Sequence, residues 1–131
     1  MDADDARLAV QSGADALIVS NHGGRQLDGA PSSIAALPAI VAAVGDKIEV
    51  MLDGGIRSGQ DILRARALGA DSVLIGRAFL YALGAAGQAG VTRLLELLRN
   101  ELDVSMALCG RTDIADVDRS ILLNPGFFDQ P

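Results

Sequence analysis

The only histidine of the chain lies three residues before an arginine, in the segment SNHGGRQLDG at residues 20–29. A histidine side chain titrates near neutral pH and can accept a proton, while an arginine guanidinium can hold a carboxylate through two parallel hydrogen bonds. His22 and Arg25 would therefore suit a reaction on a small carboxylic acid. A lone histidine is also often an ordinary hydrogen-bonded loop residue, so the residue types alone leave both interpretations open.

His22 follows a short segment that has the composition of a buried β-strand. The segment ALIVS at residues 16–20 is almost wholly apolar, as the strands of a parallel sheet covered on both faces should be. Barrel enzymes place their chemistry at the carboxyl ends of such strands, so the position of His22 favours a functional role. Metal binding is not expected, because the chain has no second histidine and a single cysteine. Cys109 is predicted to be a packing residue near a helix end rather than a nucleophile.

The segment DGGIRSG at residues 53–59 has the residue types of a phosphate-binding loop. Gly54 and Gly55 permit a close approach of the backbone to a ligand, and Ser58 can cap a following helix. The free N–H groups at the start of that helix would form an anion site, which the guanidinium of Arg57 would strengthen. On its own, the segment is equally compatible with a tight turn before a capped helix.

The next predicted strand ends in the same residue types. Gly76 and Arg77 close an apolar run that begins at residue 72, and they precede another helical pattern. Barrels often bind phosphate at the loops after their seventh and eighth strands, with the help of a short extra helix. The segment AFLYALGAAG at residues 78–87 is predicted to be that helix. The strands at 48–53 and 72–76 would then be the seventh and eighth, and the histidine strand the sixth.

Helical patterns alternate with the three predicted strands. Helices are expected at residues 2–13, 33–44, 58–69 and 89–110, and the tail at 124–131 is expected to be a loop. Asp2 is the predicted N-cap of the first helix. The last helix is predicted to place four leucines on one face, namely Leu94, Leu95, Leu98 and Leu102. Strand-helix alternation is typical of both a (β/α)8 barrel and a doubly wound sheet, so the pattern alone does not decide between them.

Length and composition limit the classes of protein to consider. The 131 residues, half of them apolar, are enough for one ordinary domain, and a net charge of −6 argues against nucleic acid as a partner. No apolar run reaches the roughly 18 residues of a membrane span, and no secretory signal is visible, so a cytoplasmic location is expected. A complete barrel needs eight strands and about 250 residues. Residues 1–131 are therefore predicted to form the C-terminal part of one TIM-barrel domain, with strands 6–8 present and the N-terminal units absent.

Three segments of the chain together resemble one enzyme family. The segments are SNHGGRQLDG, DGGIRSGQDILRARALGADSVLIGR and AGQAGV. They closely resemble the FMN-dependent α-hydroxy-acid dehydrogenases and oxidases, a group that includes L-lactate dehydrogenase, glycolate oxidase and mandelate dehydrogenase. The resemblance runs from about Ala6 to Leu122, and its histidine-arginine motif is specific to this group. It implies a TIM barrel, FMN as cofactor and a small 2-hydroxy acid as substrate.

The resemblance also implies roles for individual residues. His22 matches the base that accepts a proton from the 2-hydroxy acid. The resemblance leaves open whether that proton comes from carbon or from the hydroxyl group. Arg25 matches the arginine that holds the substrate carboxylate, and Ser20 matches a residue near the flavin ring. The residues matching those along the ribityl chain and phosphate of FMN are Asp53, Gly54, Gly55, Ile56, Arg57, Gly76 and Arg77.

The reaction that the resemblance implies is the oxidation of an L-2-hydroxy acid to the 2-oxo acid. L-lactate is the expected substrate, because GRAFLYALGAAGQAGV is similar to the same region of bacterial lactate dehydrogenases. The final electron acceptor stays open among oxygen, a quinone and a cytochrome. If the acceptor is a quinone, peripheral association of the enzyme with the inner face of the membrane is expected. A homo-oligomer is expected.

The chain also departs from the family pattern. A lysine beside the flavin, two active-site tyrosines, an aspartate partner of the histidine and a second substrate arginine would all precede Met1, and Tyr81 matches neither tyrosine. The 131-residue chain alone is therefore expected to bind FMN weakly and to have negligible turnover. One alternative is a catalytically inactive half-barrel that binds phosphate or associates with another subunit. A second is another FMN barrel enzyme, against which the presence of both His22 and Arg25 argues.

Overall fold

The computed structural model describes residues 1–124, in which helices and parallel strands alternate along the chain. The helices are α1 (Ala3–Gln11), α2 (Ser33–Val44), α3 (Gly59–Ala67) and α4 (Arg77–Leu108), and the strands are β1 (Ala16–Val19), β2 (Glu49–Leu52) and β3 (Ser72–Val73). Each predicted helix and strand is present within a few residues of its expected position. Of the loop predicted at 124–131, residues 125–131 lie outside the described part of the chain.

The three strands form one parallel sheet in which they follow their order in the sequence. β1 pairs with β2 through the register Ala16 opposite Glu49, and β2 pairs with β3 through Met51 opposite Ser72. A doubly wound sheet reverses its strand order at a switch point, whereas a barrel adds each strand beside the previous one. The observed order is that of consecutive βα units, which a barrel contains throughout and a doubly wound sheet contains on either side of its switch point.

The helices cover one face of the sheet and leave the other face exposed over residues 1–124. Val19, Val50 and Leu52 are buried against the helices, whereas the alternate residues Ile18 and Leu74 are 46% and 39% exposed. Within residues 1–124, this face of the sheet therefore has no covering layer. Right-handed crossovers between parallel strands place successive helices on the same side, which accounts for the one-sided covering.

Helices α1 and α3 begin at side-chain caps that their sequences predict. The carboxylate of Asp2 accepts hydrogen bonds from the backbone N–H groups of Asp4 and Asp5. Ser58 and Asp61 form a reciprocal capping box at the start of α3. The predicted caps at Asp2 and Ser58 are thus confirmed.

Helix α4 consists of a short helical segment and a long one. Ala86 and Gly87 have non-helical backbone angles and separate residues 77–85 from residues 88–108, in agreement with the predicted pair of helices. Leu98 is buried, but Leu95 is 52% exposed and does not share the packed face as predicted. Cys109 is also exposed, so its predicted packing role is wrong.

Strand β3 is shorter than the run predicted at 72–76. It borders only β2 within the described sheet, and the last hydrogen bond of that pairing runs from the Leu74 N–H to the Leu52 carbonyl. Beyond this point the chain turns through Gly76 into α4. Leu74 and Ile75, which belong to the same predicted run, line a cavity next to the sheet.

Candidate functional site

A cavity of about 550 Å³ lies at the carboxyl ends of the three strands. The residues that line it are His22, Gly23, Arg25, Asp53, Gly54, Gly55, Ile56, Arg57, Leu74, Ile75, Gly76, Arg77 and Leu80. Three separate loops that follow β1, β2 and β3 thus contribute to a single space. All of the site residues predicted from the sequence line it except Ser20. Gly23, Leu74, Ile75 and Leu80 were not predicted, although strand-end position was an available signal for Leu74 and Ile75.

His22 occupies a strained position in the turn that follows β1. Its φ of 56° is the only positive value for a residue other than glycine among the described residues. The turn is held by hydrogen bonds from the Gly24 N–H to the Asn21 carbonyl and from the Asn21 side-chain amide to the Pro31 carbonyl. A left-handed backbone costs free energy for most residues and is found disproportionately at functional sites. The geometry favours the functional interpretation of His22 over that of an ordinary loop residue.

Ser20 makes a hydrogen bond to the backbone of His22. Its hydroxyl oxygen accepts a hydrogen bond of 3.1 Å from the backbone N–H of His22. The side chain is partly buried and does not line the cavity. Ser20 therefore helps to orient His22, which faces the cavity. Its expected position near a flavin ring stays a prediction.

Asp53 presents a carboxylate oxygen that lacks a partner within the described chain. Its Oδ1 is buried without a hydrogen bond, while its backbone N–H donates to Val19 and its carbonyl accepts from the Ser33 hydroxyl. A buried carboxylate oxygen left unpaired costs free energy, which a ligand hydroxyl group would recover. Gly54 follows at a φ of 87°, and an added Cβ there would lie 3.0 Å from the Ser33 hydroxyl. The contact with Ser33 accounts for the glycine at position 54, and the unpaired Asp53 oxygen suits a ligand that carries hydroxyl groups.

Carboxylates occupy the helix start that was predicted to bind an anion. The Asp61 Oδ2 atom accepts hydrogen bonds of 3.0 Å from the N–H groups of both Arg57 and Ser58, and Glu101 accepts one of 2.8 Å from the N–H of Gly59. The prediction of free N–H groups at the start of α3 is therefore wrong. A capping box was recognisable in the spacing of Ser58 and Asp61. No local signal pointed to Glu101, which is 42 residues from Gly59 in the sequence.

The same contacts alter the acidity of Asp61. Burial raises the pKa of the Asp61 carboxyl group, but the N–H groups of Arg57 and Ser58, the Ser58 hydroxyl and the charge of Arg64 lower it by more. The net pKa lies below the ordinary value of 3.8. Asp61 is therefore a carboxylate at neutral pH and adds negative charge to the start of α3.

The start of α4 is arranged differently. Its N-cap residue, Gly76, has no side chain to occupy the first N–H groups of the helix, and both Gly76 and Arg77 line the cavity. Arg57 reaches the same cavity from the loop after β2. Uncapped N–H groups of a helix together with guanidinium groups form an anion site. The residues that fit a phosphate are therefore the start of α4 with Arg57 and Arg77.

The cavity concentrates positive charge in a chain whose net charge is −6. Arg25, Arg57 and Arg77 line it, and none of them has an ion pair within residues 1–124. The only carboxylate in its lining belongs to Asp53. Guanidinium groups without protein partners are available for anionic ligands, so the site can accept a phosphate and a carboxylate together.

The part of the chain that the structure describes holds no group of three or more histidine, cysteine, aspartate or glutamate residues that could bind a metal ion. Among the helices of residues 1–124, none combines the length and apolarity that crossing a membrane requires.

Comparisons with known proteins identify close relatives of the chain. A family model described as FMN-dependent dehydrogenase matches residues 1–124. The L-lactate dehydrogenase of Caulobacter vibrioides is 57% identical over 122 residues, which are 93% of this chain and 32% of that protein. The L-lactate oxidase of a Nostoc species is 59% identical over 119 residues, or 91% of this chain and 33% of that protein. The chain thus spans about a third of the length of the curated relatives that it matches.

Solved structures give the same result for the fold. Mandelate oxidase bound to benzoyl-formic acid is 54% identical and superposes with a TM-score of 0.87 over 89% of this chain and 35% of that one. A mandelate oxidase variant with a monooxide FMN adduct also superposes with a TM-score of 0.87, over 89% of this chain and 37% of that one. The arrangement of the three strands and four helices is therefore that of part of these flavin-dependent oxidases.

Proposed function

The chain belongs to the FMN-dependent dehydrogenase family, and from that premise we propose that it forms part of the active site of an enzyme that oxidises L-lactate to the 2-oxo acid. The observation that supports this most strongly is the cavity that joins His22 and Arg25 to the two arginine-bearing loops after β2 and β3. The relatives named L-lactate dehydrogenase and L-lactate oxidase favour lactate among the 2-hydroxy acids.

We place the chain at the C-terminal end of the barrel. β1, β2 and β3 would be strands 6, 7 and 8, and residues 1–131 would belong to one barrel domain. The uninterrupted strand order supports a position within a barrel. The two adjacent loops with arginine and glycine support the seventh and eighth strands in particular, because barrels commonly bind phosphate there.

The residues present in the cavity fit FMN. The start of α4, with Arg57 and Arg77, would hold the phosphate group, and the unpaired Asp53 carboxylate oxygen would accept hydrogen bonds from the ribityl hydroxyl groups. Gly55, where an added Cβ would meet no described atom within 4 Å, would let the ribityl chain approach the backbone closely. When bound, FMN supplies a two-electron acceptor, which no side chain of the protein can provide.

Two side chains would act on the substrate. The Arg25 guanidinium would hold the carboxylate of the hydroxy acid in a two-point interaction and so fix its orientation in the cavity. The His22 imidazole, held in place by the Ser20 hydroxyl through its own backbone, would accept a proton from the oriented substrate. Leu74, Ile75 and Leu80 add apolar surface that would reduce the access of water.

A second candidate function is that of a catalytically inactive half-barrel that binds phosphate or associates with another subunit. The exposed face of the sheet at Ile18 and Leu74 favours this for the isolated chain, because apolar surface of that kind is normally covered. The outer edges of β1 and β3 also have unpaired backbone groups in the described sheet. We propose that the chain associates with itself in a homo-oligomer, in the cytoplasm or peripherally at the inner face of the membrane.

A chimera tests the catalytic proposal. Residues 1–122 would replace the matching third of the Caulobacter vibrioides L-lactate dehydrogenase, and flavin bleaching by L-lactate would be followed without oxygen. We expect bleaching by the chimera and a loss of about 100-fold or more in its rate with His22→Ala, as for removal of a general base. Gln26→Ala, an exposed change in the same turn, is the matched control and should leave the rate unchanged.

The isolated chain separates the two candidates. Weak, saturable quenching of FMN fluorescence without bleaching by L-lactate is expected for the chain alone and would support the half-barrel interpretation of the isolated chain. Bleaching that His22→Ala removes would show that the chain is active by itself. Bleaching of the chimera that persists in His22→Ala would contradict the assignment of the base.

A further inference from the structure

A single hydrogen bond links the far end of α4 to the loop that carries Arg57. The Glu101 Oε2 atom accepts from the backbone N–H of Gly59, the first residue of α3, at 2.8 Å. Arg57 lies two residues earlier and lines the cavity. The Glu101 side chain therefore contacts the phosphate loop from outside the cavity, through the backbone of α3.

The packing around this hydrogen bond leaves no room for adjustment. Gly59 is buried, and a Cβ added to it would lie 2.1 Å from the Leu102 backbone nitrogen and 2.5 Å from the Glu101 carbonyl carbon. Next to this contact, Leu63 of α3 and Met106 of α4 are buried in one small cluster with Val117. Helices α3 and α4 are thus fixed to each other at backbone contact distance.

The contact connects the loop after β2, through the start of α3, to the later part of α4. The loop at residues 53–58 leads into α3, α3 is fixed to α4 by Glu101, and α4 begins at Gly76 and Arg77 in the same cavity. A small misplacement of a ligand-positioning group can reduce function strongly even when the change lies far from the ligand. The Glu101 hydrogen bond therefore helps to hold the end of the loop that carries Arg57 against residues 88–108 of α4.

We propose that Glu101 is a positioning residue for phosphate recognition, which acts through the Gly59 N–H on the loop at residues 53–58. Glu101 itself does not line the cavity. The inference rests on the proposed FMN site, because that site supplies the phosphate group. The hydrogen bond between Glu101 and Gly59 is a property of this chain alone.

The test uses the full ¹⁵N-labelled chain with inorganic phosphate as the probe, at a temperature where every variant is folded. Glu101→Ala should speed amide hydrogen exchange at Gly59 about tenfold, as loss of one hydrogen bond to a charged group would. It should also raise the phosphate Kd, read from the Arg57 and Arg77 amide shifts, by about fivefold or more. Glu101→Gln keeps an acceptor oxygen and should recover most of both properties.

Glu96→Ala is the matched control, because Glu96 is an exposed carboxylate of the same helix that pairs only with Arg93 in the described part of the chain. It removes the same charge and should change neither measurement. Unchanged exchange at Gly59 in Glu101→Ala would overturn the proposal, and so would an unchanged phosphate Kd in a variant that is merely less stable. A wild-type chain that does not respond to phosphate would overturn the FMN site as well, whereas a responding wild type with an unaffected Glu101→Ala overturns only the inference.

Discussion

The starts of α3 and α4 follow neighbouring strands, and each adjoins a loop with glycine and arginine, but the two helices use their first N–H groups in opposite ways. At α3, Asp61 and Glu101 accept hydrogen bonds from those groups or from the residues just before them. At α4, Gly76 offers no side-chain cap, and the helix faces the cavity. The two regions have similar residue types and opposite local charge.

The difference shows that a helix start attracts an anion only when its N–H groups have no other partner. The first N–H groups of a helix need partners, and a carboxylate of the protein can satisfy them as well as a ligand can. Two carboxylates already occupy the N–H groups at α3, while Arg77 at α4 has no ion pair within residues 1–124 and would attract a phosphate. Of the two helix starts, the start of α4 is therefore the one that has N–H groups without a side-chain cap at the cavity.

The largest expected effect comes from replacing the glycine at each helix start. Gly59→Ala should lower the free energy of unfolding by about 3 kcal/mol or more, because its Cβ would lie 2.1 Å from the Leu102 nitrogen and the contact is with backbone. Gly76→Ala should cost about 0.5 kcal/mol or less, because no atom lies within 4 Å of the added Cβ. Urea denaturation of both variants measures the difference, and equal losses would show that the two helix starts are packed alike.

An intermediate effect is expected from removing an arginine near each helix start. Arg77→Ala should weaken the binding of inorganic phosphate about tenfold, which is the cost of losing a charge-assisted hydrogen bond. Arg64→Ala removes an arginine that pairs with Asp61 outside the cavity, and the phosphate Kd should stay the same. Titration followed by the amide shifts of α4 gives both values. A larger loss with Arg64→Ala would place the anion at α3 after all.

The smallest effect concerns pH and the Asp61 cap. Because the folded-state pKa of Asp61 lies below 3.8, its carboxylate stabilises the fold above that pH and loses this contribution as pH falls through the folded-state pKa. Asp61→Asn should therefore cost about 1 kcal/mol at pH 7, in the range of a helix cap, and progressively less below pH 4. Thermal unfolding of both proteins between pH 2 and 7 checks this, and a pH-independent difference would contradict it.

The parts of the fold and site that could be predicted have local causes. The caps at Asp2 and Ser58 depend on residues within one helical turn, and the strands have short apolar runs of characteristic composition. Because the carboxyl ends of neighbouring parallel strands share one edge, strand position was enough to bring His22, Asp53 and Gly76 into one cavity.

The parts that could not be predicted depend on contacts between distant segments. Glu101 resembles any other acidic residue of an amphipathic helix, and only the approach of α4 to Gly59 gives it a partner at the start of α3. Leu95 and Cys109 are likewise exposed, although the helical pattern placed Leu95 on the apolar face of α4. A periodic pattern identifies the apolar face of a helix but not which of its residues a neighbouring segment covers.

The simple strand order has a consequence for how the chain folds during synthesis. Each strand pairs with the one that precedes it, so Glu49 meets Ala16, and Ser72 meets Met51, without waiting for any later segment. A ribosome that releases the chain from its N-terminus therefore delivers each partner in the order in which the sheet needs it. Glu101 lies 42 residues after Gly59, so the hydrogen bond between them can form only once this later part of α4 has emerged.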